Sequence, residues 1–152
     1  MNDNSKSQPL ASTRIIDLTH GIAGPYCTKL LADYGADVIK VERPIAGDYA
    51  RGIGPFPNDI NTPETSGLFL FLNTNKRSIT LDFENASDVD FLRQLISDAD
   101  ILIENFTPGQ METWGLGYSD LSKLNPNLIM TSISNFGQTG PYKDYLGSDL
   151  VL

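Results

Sequence analysis

With 152 residues, 40% of them hydrophobic, the chain is long enough for one domain with a substantial core, burying roughly 70% of its unfolded surface. Its formal net charge of -8 sets the global field against nucleic acid and anionic membranes, so an anionic ligand needs a local basic site. No apolar run approaches the roughly 18 residues of a membrane span, and a single cysteine, Cys27, cannot form an internal disulfide, which fits a reducing cytoplasm.

Residues 1–12 are polar, carry both Asp3 and Lys6, and lack the features of a signal or transit peptide; they read as a disordered leader before a single domain over 13–152. Residues 14–18 predict a strand that stops at the glycine turn Thr19-His-Gly-Ile-Ala-Gly24. Pro25, pre-set for the first helical position, opens a helix that ends at Gly35. A second strand over 36–42 stops at Arg43-Pro44 and completes a βαβ unit of the nucleotide-binding kind, whose turn suits an anionic ligand. Residues 45–63 are rich in Gly, Pro, Asn and Asp and have no sustained period, so they predict a long surface loop, a candidate lid or partner-contacting segment.

Residues 66–73 are apolar and short, and fit a buried helix or a strand. The basic turn over 73–77 is expected to face outward before a strand over 78–82. Asn85 or Ser87 can cap a helix over 86–98 in which Val89, Leu92, Leu95 and Ile96 share a face, and 101–104 follow as a buried strand. Pro108 begins another helical piece, and a further strand over 128–134 follows Tyr118-Ser-Asp-Leu-Ser-Lys-Leu124. Strands alternating with helices imply an α/β fold, a Rossmann-like doubly wound and mainly parallel sheet. Its strand ends at 18–25, 42–44, 105–109 and 135–140 share the edge where such sheets bind ligands.

Asp17-Leu-Thr, Ala23-Gly-Pro25, Gly35-Ala-Asp-Val-Ile-Lys-Val-Glu-Arg-Pro44, Asn75-Lys-Arg-Ser78, Glu104-Asn-Phe-Thr-Pro-Gly109, Gly115-Leu-Gly-Tyr118 and Phe136-Gly-Gln-Thr-Gly-Pro141 occur in order. From about Leu10 to Leu152 the chain thereby resembles the family III coenzyme A transferases, the CaiB/BaiF type that includes formyl-CoA transferase. The resemblance implies a Rossmann-like domain that holds CoA, no prosthetic group, no metal, and full-length subunits interlocked as a homodimer. It implies CoA transfer from an acyl-CoA to a carboxylic acid: an aspartate carboxylate attacks the thioester, CoA thiolate recaptures the mixed anhydride, and the acceptor takes the CoA. Carried over by position, Ile22 and Ala23 line the pantetheine and thioester end, Arg43 holds CoA phosphate, Leu81 touches the adenine, and Asn105, Phe106 and Thr107 wall the cofactor groove.

The resemblance puts the nucleophilic aspartate beyond Leu152, so no catalytic residue is assigned in this chain, which is expected to be an amino-terminal fragment inactive by itself. Asp149 matches an acidic residue that precedes the nucleophile. Ser148 stands where the related α-methylacyl-CoA racemases carry a histidine base, which disfavours racemisation. Thr113 and Glu84 stand where some formyl-CoA transferases carry basic residues.

Read by their own chemistry, the residues leave choices open. Arg43 ends a strand at the ligand edge, where its guanidinium can grip phosphate in two contacts or form a surface pair with Glu42. Lys76 and Arg77 can attract phosphate or form a solvated cap. His20, the sole histidine, has no evident partner and is expected to serve the turn, not catalysis. Asn105 can donate to a ligand or form an Asx turn before Pro108, and Phe106 and Trp114 are expected to pack. Glu42 is also placed like the ribose-binding acid of an NAD-binding dehydrogenase domain, although the turn carries only the later glycines of that fingerprint. A fragment that binds nothing is the third reading.

Overall fold

A computed structural model describes residues 8–147. Five strands, β1 (Arg14–Asp17), β2 (Asp37–Glu42), β3 (Arg77–Thr80), β4 (Ile101–Glu104) and β5 (Ile129–Ser132), form one all-parallel sheet in the order β3-β2-β1-β4-β5. β1, β2 and β4 carry branched apolar residues in near-continuous runs because both of their faces are covered. Ile16, Leu18, Ile39, Val41 and Leu102 point to one side, against helix α3 (Ala86–Ser97) and Leu121 of α5 (Tyr118–Leu124). Ile15, Val38 and Ile103 point to the other, against Ala32 of α1 (Ala23–Asp33).

α1 packs through Gly24, Thr28 and Ala32, a stripe of small residues four apart that brings the helix close to the sheet. Asp17, Lys40 and Glu42 follow the period-two alternation onto this same face, and Asp17 is the register partner of Lys40. The helix begins at Ala23, two residues before the expected start, so Pro25 occupies its third position; the missing N–H is still among those without an intrahelical acceptor. It ends in a Schellman arrangement, with Gly35 at φ 100°, the Gly35 N–H donating to Ala32 and the Ala36 N–H to Leu31.

The stretch that fitted helix or strand is helix α2 (Gly67–Leu72), because the Ser66 hydroxyl caps it by accepting the Phe69 N–H at 3.1 Å while Phe69 and Leu72 are buried. Asn85 caps α3 by accepting the Ser87 N–H, and the piece expected after Pro108 is the short helix α4 (Gln110–Thr113), starting after Gly109. Residues 1–7 of the expected leader lie outside the described residues; at 8–12 the chain turns, the Leu10 N–H donates to Tyr34 at 3.0 Å, and Leu10 packs against the α1-side core. Among the described residues no helix is long and apolar enough to cross a membrane.

Candidate functional site

Strand order reverses between β1 and β4, and at the carboxyl ends of these strands an open α/β sheet leaves a crevice. A cleft of about 450 Å³ occupies that place. His20, Ile22 and Ala23 come to it from the end of β1, Asn105, Phe106, Thr107 and Pro108 from β4, and Ile133, Ser134, Asn135 and Phe136 from β5. Tyr49 and residues 143–147 complete the lining.

The walls are tied together through backbone. The Asn105 side-chain oxygen accepts the His20 N–H at 2.9 Å and its amide donates to the His20 carbonyl at 2.8 Å, joining the β1 and β4 ends. Glu104 accepts the Phe106 N–H at 2.7 Å; burial pushes this carboxyl above its usual range, against the opposing hydrogen bonds of Ser132 and Phe106. Gly24 lies so close to Thr19 that a Cβ there would sit 2.3 Å from the Thr19 Cβ. Phe106 meets Phe83 and Trp114 edge-on, at centroid distances of 5.8 and 5.1 Å, so it both packs on the core and walls the cleft.

A layer of buried charge lies under the β1 and β2 ends. Asp17 accepts the Thr19 N–H at 3.0 Å, the Thr19 and Thr28 hydroxyls at 2.5 and 2.7 Å, and Lys76 Nζ at 3.0 Å. Burial acts to raise the Asp17 pKa, but Lys40, Lys76 and the two hydroxyls together hold it below the ordinary value. Lys40 Nζ lies 2.9 Å from Asp48 and donates to the Thr19 carbonyl at 2.7 Å. Burial, then the nearby Lys40 charge, pushes His20 below its usual pKa in spite of Asp48, so the cleft presents a neutral imidazole near pH 7.

Five of the seven residues expected at the site, Ile22, Ala23, Asn105, Phe106 and Thr107, line this one cleft. Arg43 stands beside it at the end of β2, its guanidinium 5.6 Å from the Phe106 ring centre and 5.5 Å from that of Trp114. Among the described residues it forms no ion pair, Glu42 being bound to Arg51 instead. Leu81 is not among the residues that line this cleft: it is 7% exposed and packs in the core, its alternation carrying it inward.

Lys76 does not face outward; its amine turns in to Asp17, the Pro25 carbonyl and Asn73, with its side chain 1% exposed, so it is neither solvated nor free for phosphate. Arg77 pairs with Asp37 on the surface. Among the described residues Asn105 makes no turn toward Pro108; its side-chain oxygen and one amide N–H are engaged by the His20 backbone. The loop over 45–63 is anchored, not loose: Asp48 and Ala50 are fully buried, and Ser66 donates to the carbonyls of Ala50 and Ile53. Ser148 and Asp149 lie outside the described residues.

Sequence reading missed Asp48, Tyr49 and the 143–147 segment. Asp48 sits 27 residues from its partner Gly21 in a stretch without period, and nothing local marks it as buried. Among the described residues no three His, Cys, Asp or Glu side chains gather as a metal site. Of the cleft-lining residues only Asp144 is acidic, and it is exposed and held by Lys143 at 2.8 Å.

The model of CoA-transferase family III matches residues 10–152. The beta subunit of succinyl-CoA–L-malate CoA-transferase of Chloroflexus aurantiacus is 44% identical over 150 residues, which cover 97% of this chain and 35% of that protein. Formyl-CoA:oxalate CoA-transferase of Afipia carboxidovorans is 46% identical over 139 residues, 91% of this chain and 31% of that one. A CAIB/BAIF family protein of Brucella suis superimposes with a TM-score of 0.86 at 39% identity, covering 96% of this chain and 38% of the other. The chain thus spans about a third of the length of the curated relatives it matches.

Proposed function

This chain belongs to CoA-transferase family III, and from that membership we propose that its cleft holds the CoA part of an acyl-CoA in an enzyme that passes CoA to a carboxylic acid. The observation that carries the proposal is the gathering of Ile22, Ala23, Asn105, Phe106 and Thr107 in one cleft at the strand-order reversal, beside Arg43, which forms no ion pair among the described residues.

Arg43 suits the phosphates, since two aromatic rings orient its fork and no carboxylate of the described residues competes for it. Ile22 and Ala23 offer apolar contact for pantetheine, and Phe106 and Thr107 the opposite wall; Asn105 acts by holding the His20 backbone. Asp17, Glu42 and Asp48 are locked by cations and N–H groups; the family resemblance implies that the covalent step belongs to a carboxylate outside residues 8–147, and we assign the described residues binding and orientation. The acceptor class we favour is a small carboxylic acid, in keeping with the dicarboxylates named in two relatives.

We also place the protein in the cytoplasm as a homodimer of interlocked subunits. In support, Tyr26, Leu30 and Tyr34 form an exposed stripe along α1, continued by Leu70 and Phe71 of α2, an apolar face suited to burial by more protein. The dehydrogenase alternative loses its main support, because both oxygens of Glu42 are occupied and none is open to a ribose hydroxyl.

The test supplies the full-length protein with succinyl-CoA and a panel of carboxylic acids and follows CoA esters by mass spectrometry. Appearance of a new CoA ester matching the loss of succinyl-CoA is expected. Release of free CoA alone, or no turnover with any acid, would contradict the proposal.

A further inference from the structure

One carboxylate, 27 residues from the glycine turn, holds two walls of the cleft together. Asp48 Oδ1 accepts the Gly21 N–H and the Ala50 N–H, each at 2.9 Å, while Oδ2 lies 2.9 Å from Lys40 Nζ. Lys40 in turn donates to the Thr19 carbonyl, so the pair grips the turn on both sides of His20. Gly21 has φ 81°, and a Cβ there would sit 1.7 Å from the Tyr49 hydroxyl oxygen: Tyr49, next to Asp48, lies directly on the turn. His20, Ile22, Ala23 and Tyr49 all line the cleft.

Stability alone does not account for this pair. Its side chains are 1% and 0% exposed, and buried ion pairs are commonly no more stabilising than apolar residues of like volume. What it supplies is a defined conformation for a turn that has no side-chain cap at the helix behind it. We propose that Asp48, itself held by Lys40, is a positioning residue: through the Gly21 N–H it fixes the 19–23 turn and Tyr49 as one preformed wall, so that ligand binds without first ordering them. The ligand part of this inference rests on the CoA reading of the cleft.

Truncating Asp48 by itself would leave Lys40 charged and buried, so the test uses paired variants of the full-length protein without that charge. Lys40→Met with Asp48→Asn keeps an oxygen for the Gly21 N–H; Lys40→Met with Asp48→Leu removes it. Circular dichroism confirms folding, amide exchange of Gly21 is read by NMR, and CoA affinity by calorimetry. The leucine pair is expected to exchange Gly21 faster and bind CoA at least about tenfold more weakly than the asparagine pair, the loss expected if the competent turn falls to about a tenth of the population.

Equal exchange and equal affinity in the two pairs would overturn the proposal. If the leucine pair does not fold, the asparagine pair decides against the natural protein: retained Gly21 protection and affinity within about threefold support an acceptor role, and loss of both refutes it. Natural protein that does not bind CoA, while Gly21 exchange still follows residue 48, would refute the CoA reading and uphold the anchoring.

Discussion

Glu42 offers a direct measure of how firmly the segment after β2 is tied to the sheet. Its carboxylate accepts Arg51 Nε at 2.7 Å and Nη2 at 2.8 Å, the Ser78 hydroxyl at 2.9 Å and the Asp48 N–H at 3.0 Å. Burial works to raise its pKa, but Arg51, the Asp48 N–H and Ser78 outweigh it and bring the pKa down from 4.5 to about 2. Between those values the unfolded chain binds more protons than the folded one, so stability rises with pH across the interval. The shift corresponds to about 3 kcal/mol, fully present at pH 7, of which about 2 kcal/mol is gone by pH 3. Glu42→Gln removes this titration and leaves Asp17 and Glu104 as they are. Urea unfolding of both proteins at pH 7, 5, 4 and 3, with the m-value monitored, should show an acid loss about 2 kcal/mol smaller in the variant. Parallel acid limbs would refute the reasoning.

Lys76→Met should cost about 3–5 kcal/mol in urea unfolding, since it strands the buried Asp17 charge; a loss below about 1 kcal/mol would mean Lys40 alone compensates. Arg43→Ala should raise KM for acyl-CoA about tenfold or more while kcat falls less, as expected when a charged contact serves ground and transition states alike; unchanged kinetics would remove Arg43 from the site. Asn105→Ala frees both backbone groups of His20 and should lower stability by about 1–3 kcal/mol and weaken CoA binding, measured on the same sample by thermal melts and calorimetry.

The sheet was legible because its signals are local. β1, β2 and β4 are runs of Ile, Leu and Val ended by polar residues and turns, and the alternation with amphipathic α3 leaves a parallel sheet as the natural arrangement. Side-chain direction in the polar segments was not legible, since it depends on partners far along the chain. Lys76 looks like a surface residue until Asp17, 59 positions away, is brought within 3.0 Å. The 45–63 stretch has the composition of a mobile loop, yet Asp48 and Arg51 pin it to Gly21 and Glu42. Asn105 binds the backbone of a residue 85 positions away, a partner that its local sequence does not announce. Five of the expected positions meet in one cleft because each lies just past a strand end, where topology dictates the meeting point. Leu81, one residue past the end of β3, continues the alternation of that strand inward and does not line the cleft.

The central claim, that the cleft and Arg43 form a CoA site, is tested most directly by isothermal titration of the purified protein with CoA and, in parallel, with NAD. Saturable binding of CoA that weakens in Arg43→Ala, with no heat from NAD, is the predicted result. Binding of NAD alone, or CoA binding indifferent to Arg43, would contradict it.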